Sequence, residues 1–144
     1  MVAPHGTARI LVVDGDAAVL SAMSEALRAV GYSVAKASNG SEALRLFAED
    51  AIDLTIVDIF LQKMGGIEVL LRIKRMAPAA KVICMSSGGV IDQGYAFDIA
   101  RQLGATEVLA KPFDTARLAG VVGGVLPHAA GVDRYWVMRK ELHF

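Results

Sequence analysis

Asp14, Asp58, Ser86 and Lys111 each stand directly after a short apolar run, and Asp16 follows Asp14 by two positions. If the runs are strands of one parallel sheet, these polar residues meet at one edge. Carboxylates gathered there repel, and one takes up a proton unless a cation is shared. Oxygen ligands at a small, wet site suit magnesium. A lysine ammonium and a serine hydroxyl beside them match a phosphoryl group. The chemistry this set predicts is an aspartate that accepts or holds phosphate beside magnesium.

The elements that must position these residues are legible in the pattern. Ile10 to Val13 is a buried strand by length and β-branching. Val19, Leu20, Met23, Ala26, Leu27 and Val30 then form one helical face, which Gly31 stops. Tyr32 to Ala35 reads as a weaker second strand near a sheet edge. Ser38 or Asn39 can cap a helix running to about Glu49. Leu54 to Val57 is the third strand, closed by Asp58. A helix bearing Ile67, Leu70, Leu71 and Ile73 follows Gly65-Gly66 and ends before Pro78. Val82 to Met85 is the fourth strand, followed by a flexible Ser86-Ser87-Gly88-Gly89 turn and a helix ending near Leu103-Gly104. Val108 to Ala110 is the fifth, ended by Lys111-Pro112, and Asp114 caps a last helix with Leu118, Val121, Val122 and Val125.

Five strand–helix units with strands apolar on both faces imply a parallel sheet with helices on each side. Right-handed crossovers leave few topologies, and the flavodoxin-like order 2-1-3-4-5 suits five units. The expected fold class is therefore α/β, a five-stranded parallel sheet in that order. The expected boundaries are a short extension over 1–7, one domain over 8–126 and a tail over 127–144. The tail holds Tyr135, the only tryptophan Trp136, and Phe144; a docked helix or a partner site is expected there.

Composition narrows the function. The 144 residues carry 15 basic and 15 acidic side chains, so a general electrostatic grip on nucleic acid is not expected. With 54% hydrophobic and 21% charged residues the chain is not of disordered composition. The mean hydropathy of +0.45 is high, yet the most apolar stretch, Leu118 to Leu126, is short, contains three glycines and ends at Pro127. It cannot cross a bilayer. The single cysteine, Cys84, excludes an internal disulfide and reads as core packing inside a strand. The expectation is a cytoplasmic domain without a membrane partner.

The segments ILVVDGD, DLTIVDIFLQKMGGIEVL, KVICMSSGG and LGATEVLAKPF, in this order and spacing, resemble the receiver domain of bacterial two-component response regulators, over roughly Ala8 to Leu126. The resemblance implies that Asp58 is the phosphoacceptor, attacking the phosphohistidine of a sensor histidine kinase or histidine phosphotransfer protein. It implies that Asp14, Asp58 and the backbone carbonyl of Phe60 hold magnesium. Ser86 matches the switch residue that turns toward the phosphoryl group, and Lys111 the lysine that pairs with its oxygens. The Lys111-Pro112 bond matches the family's cis peptide, a form common only before proline. Such a domain is not an enzyme in the ordinary sense. It assists its own phosphorylation and dephosphorylation, and it switches a face formed by the last helices and strand five. No DNA-binding helix pair fits the 18 residues after Leu126, so a separate downstream protein, or onward phosphotransfer, is expected to carry the output. A homodimer is a further form such domains take.

The chain also departs from the family pattern. Gly15 stands where a second acid usually follows Asp14, so weak magnesium binding is expected, with Asp16 a candidate substitute. Gln62 replaces a usual proline, Gly65 a usual aspartate, and Val108 the aromatic of strand five that commonly takes part in switching. Two other readings follow. One is a degenerate receiver that binds a partner without being phosphorylated. The other is a phosphatase of the haloacid-dehalogenase type, whose first motif ILVVDGD also resembles, with Asp14 as nucleophile and Asp16 as general acid/base. Against the latter, Ala18 stands where that family usually has Thr or Val, and only the scattered Asp114 and Asp133 follow Lys111 as aspartates.

Overall fold

A computed structural model describes residues 7–87 and 92–126. Residues 1–6 of the expected extension over 1–7, the Gly88-Gly89 turn and the aromatic tail after Leu126 lie outside the described residues. Five strands alternate with five helices: β1 (Arg9–Val13), α1 (Ala17–Ala29), β2 (Ser33–Ala37), α2 (Gly40–Glu49), β3 (Leu54–Asp58), α3 (Gly66–Met76), β4 (Val82–Ser86), α4 (Gln93–Gln102), β5 (Glu107–Ala110) and α5 (Thr115–Val125). The strands form one parallel sheet in the order β2-β1-β3-β4-β5, as the pattern predicts.

Side chains alternate across each strand, so the sheet builds two cores. Ile10, Val12, Ile56, Ile83 and Leu109 face the layer of α1 and α5, meeting Met23, Leu27, Leu118 and Val122. Leu11, Val13, Val57, Cys84 and Val108 face α2, α3 and α4, meeting Ala43, Leu70, Ile73, Phe97 and Ala100. Each buried aliphatic side chain of this kind contributes roughly 1.5–3 kcal/mol relative to exposure. Among the described residues no helix is long and apolar enough to cross a membrane.

The second strand runs Ser33–Ala37, two residues beyond the predicted Ala35. Lys36 obscured the apolar run, but β2 is an edge strand paired only with β1, and the Lys36 side chain is exposed. Asn39, not Ser38, caps α2, accepting from the Glu42 amide at 2.9 Å. Gly31 and Gly104 close α1 and α4 with φ of 102° and 108°, the left-handed conformation that glycine adopts at helix ends.

Candidate functional site

Strand register brings the polar residues together. Val13 lies beside Val57 on the central pair, which sets Asp14 next to Asp58. Asp58 pairs with Met85, and Ser86 with Ala110, so Ser86 and Lys111 follow one strand and two strands further along the same edge. Hydrogen bonds continue past several strand ends. The Asp14 amide donates to Ala37 O at 3.2 Å, Ile59 to Met85 O at 2.9 Å, and Lys111 to Ser86 O at 2.9 Å. The backbone beneath the site is therefore held as firmly as the sheet itself.

The side chains close on one cation. Lys111 Nζ stands 2.5 Å from Asp14 Oδ2 and 2.8 Å from Asp58 Oδ2. The other oxygens are engaged by amides two residues on: Asp16 N–H donates to Asp14 Oδ1 at 2.8 Å, and Phe60 N–H to Asp58 Oδ1 at 2.8 Å. All four carboxylate oxygens thus have a donor, which satisfies the electrostatic demand of placing Asp14 at only 3% exposure. Burial by itself lowers the affinity of Lys111 for its proton. The hydrogen bonds and charges of Asp14 and Asp58 outweigh it, and its pKa lies above the ordinary lysine value. The ammonium is a fixed charge near neutrality.

Ser86 is fully buried at the end of β4. Its carbonyl accepts both the Lys111 amide and, at 2.5 Å, the side-chain amide of Gln93 from the start of α4. The Lys111-Pro112 peptide is cis, as the resemblance implies. Cys84, one strand position below Met85, is inert core: burial pushes its thiol up to about 12.

Asp16 takes the helix-capping role. Its Oδ1 accepts from the amides of Ala18 at 2.9 Å and Val19 at 3.4 Å. Gly15 is exposed, and a Cβ built on it meets nothing within 4 Å. Among the described residues no three His, Cys, Asp or Glu side chains gather as a metal site. The fit for magnesium therefore rests on two carboxylates. That Asp14 and Asp58 reach the same ammonium shows that they converge on one cation-sized point. Hard oxygen donors with one or two carboxylates, the remaining positions taken by water, are what magnesium accepts.

Two residues of the site carried little signal in the sequence. Gly66 begins α3 directly under Asp58: a Cβ there would lie 2.0 Å from Asp58 O. Its only sequence signal is a glycine inside a first helical turn, where glycine costs stability. Gln93 has none, since glutamine at a helix start is ordinary.

Comparison with known proteins agrees with this geometry. Sporulation initiation phosphotransferase F of Bacillus subtilis is 32% identical over 119 residues, covering 83% of this chain and 94% of that protein. Transcriptional regulatory protein GlrR of Escherichia coli is 32% identical over 133 residues, 92% of this chain. The chain spans only 29% of the length of that regulator. Among solved structures, a receiver domain protein from Clostridium thermocellum superposes with a TM-score of 0.77 at 31% identity, covering 82% of this chain and 93% of that one. The response regulator protein TrrA from Thermotoga maritima, solved in complex with Mg(2+)-BeF, superposes with a TM-score of 0.74 at 32% identity, covering 83% of this chain and all of that one. The profile of the response regulator receiver domain matches residues 10–122, well over half of the sequence, and the chain belongs to that family of two-component signalling proteins.

Proposed function

We propose that this receiver domain accepts a phosphoryl group on Asp58 from the phosphohistidine of a sensor histidine kinase or histidine phosphotransfer protein, and that it passes the change to a downstream protein. The observation that carries the reading is the convergence of Asp14 and Asp58 on the one ammonium of Lys111, at a strand edge where Ser86 also ends. A carboxylate oxygen of Asp58 attacks phosphorus, and the new O–P bond forms as the P–N bond to the donor imidazole breaks, the imidazole leaving with the electron pair. Lys111 supplies positive charge to the phosphoryl oxygens. Asp14, Asp58 and the carbonyl of Phe60 are the residues that would hold magnesium, which supplies charge neutralisation to the transferring group.

The test is incubation of the protein with acetyl phosphate and magnesium, followed by mapping of the acyl phosphate. One label at Asp58, absent from Asp58→Asn, is expected. Label at Asp14 would instead support the phosphatase chemistry, which the engagement of Asp16 Oδ1 in the α1 cap disfavours. Complete absence of label would favour the degenerate receiver, a reading kept by one observation: position 15 has no carboxylate and Asp16 is bound to the helix. Lys111→Ala is expected to fold and to take up phosphate, while a partner distinguishes its two states poorly.

A further inference from the structure

The carbonyl of Ser86 is a junction between the phosphoryl site and α4. It is the last carbonyl of β4, and it accepts two hydrogen bonds. One comes from the amide of Lys111 at 2.9 Å. The other comes from Nε2 of Gln93, the first residue of α4, at 2.5 Å. A carbonyl oxygen has two lone pairs, and a single donor already answers its burial. The Lys111 amide would suffice for that purpose, so the Gln93 bond adds something other than rescue of a buried acceptor. It ties the first turn of a surface helix to the strand end that carries Ser86.

The chain of contacts is continuous. Asp58 Oδ2 accepts from Lys111 Nζ at 2.8 Å, the Lys111 backbone donates to Ser86 O, and Gln93 donates to the same oxygen. On the helix side, Asp92 caps α4 by accepting from the Tyr95 amide at 3.0 Å, and Ala96 donates to Asp92 O at 3.0 Å. Gln93 therefore moves with a first turn whose Tyr95 is 62% exposed. The buried side of α4, Ala96, Phe97 and Ala100, packs in the same core as Val108 of β5. Val108 is a compact aliphatic residue with no ring to swing between an inner and an outer position.

We propose that Gln93 is the positioning residue that couples the state of the Asp58 site to the orientation of α4, by holding the Ser86 carbonyl from the helix side. This rests on the phosphoacceptor reading of Asp58. When Ser86 and Lys111 rearrange around a phosphoryl group, the shared carbonyl shifts, and Gln93 transmits or releases that shift at the first turn of α4. The surface that changes is the one bearing Gly94, Tyr95 and Asp98, which are exposed.

The experiment compares the full chain with Gln93→Leu, which keeps bulk and removes the donor, and Gln93→Glu, which sets a carboxylate against the carbonyl. Each protein is labelled with acetyl phosphate and magnesium, and hydrogen exchange is followed at the amides of residues 96–100 with and without label. In the wild type, label is expected to alter exchange across this turn. In both variants, label still forms at Asp58, exchange in the unlabelled protein rises by about fivefold to tenfold, the worth of one hydrogen bond, and the label-dependent difference collapses. A label-dependent difference of wild-type size in both variants overturns the proposal, as does a labelled wild type whose α4 does not change. Failure of the wild type to take up label at all would instead overturn the phosphoacceptor reading on which the proposal rests.

Discussion

Gly66 lies so close to Asp58 that no methyl group fits between them: a Cβ at position 66 would stand 2.0 Å from the Asp58 carbonyl oxygen and 2.7 Å from its carbonyl carbon. The Gly66 amide donates to Ile59 O at 2.9 Å, which draws the start of α3 onto the end of β3. Helix α3 is thereby packed against the backbone of the residue proposed to carry the phosphoryl group.

Gly66→Ala is expected to force that backbone apart. Overpacking of this kind typically costs roughly 1–3 kcal/mol. Denaturant unfolding should show the loss, and acetyl phosphate labelling of Asp58 should slow. Wild-type stability in Gly66→Ala would show that α3 can slide without strain.

Gly15, next to Asp14 in the chain, has open space around it. Its φ is not in the left-handed region and an added Cβ has no close neighbour, so Gly15→Asp should fold without strain. A carboxylate returned there should tighten magnesium binding by roughly tenfold, about 1.4 kcal/mol. Asp16→Ala should act differently. It removes the α1 cap, which costs about 1 kcal/mol of stability, and leaves magnesium affinity nearly unchanged. Calorimetric magnesium titration of the three proteins, with a thermal melt of each, separates the two roles. A large loss of affinity in Asp16→Ala would mean that Asp16 leaves the cap for the metal.

Alkaline pH should weaken the fold in two stages. Cys84 is held as a thiol, its pKa raised from 9.0 to about 12, so the unfolded chain releases this proton first. Its contribution is complete below pH 9 and is lost as pH rises toward 12, at roughly 1.4 kcal/mol per pH unit. Lys111 is also raised, from 10.5. Its contribution is complete below 10.5 and is lost as pH rises through the folded value. Unfolding free energy measured from pH 7 to 11 should be level below about 9 and then fall. Cys84→Ala should flatten the first part of the decline. An identical slope in that variant would refute the assignment.

Thr55 presents a hydroxyl to the interior of β3. It is fully buried, and its Oγ1 has no hydrogen-bond partner among the described residues. Removing a buried, unpaired hydroxyl while keeping side-chain shape should help: Thr55→Val is expected to stabilise by about 1 kcal/mol. The shift in denaturant midpoint measures it, and a destabilised variant would indicate a partner such as ordered water.

The order of residue types along the chain specified which side chains could meet and on what scaffold. Short runs of three or four residues, each followed by a polar one, were sufficient to place Asp14, Asp58, Ser86 and Lys111 at strand ends, because burial on both faces leaves a parallel strand little freedom of composition. The Asp114 cap was legible, and the α2 cap was narrowed to Ser38 or Asn39, because a helix start needs a side-chain acceptor whatever surrounds it. The rest came from packing between elements. The end of β2 was hidden, because an edge strand exposes a residue such as Lys36 without breaking its ladder. That Asp16 Oδ1 meets the amides of Ala18 and Val19 depended on a loop geometry that the local sequence left open. The sharing of Lys111 between two carboxylates, the contact of Gly66 with Asp58, and the meeting of Gln93 and Lys111 on one carbonyl all join residues on different elements. No local pattern encodes such distances, since each is set by how two elements pack and not by the preferences of either.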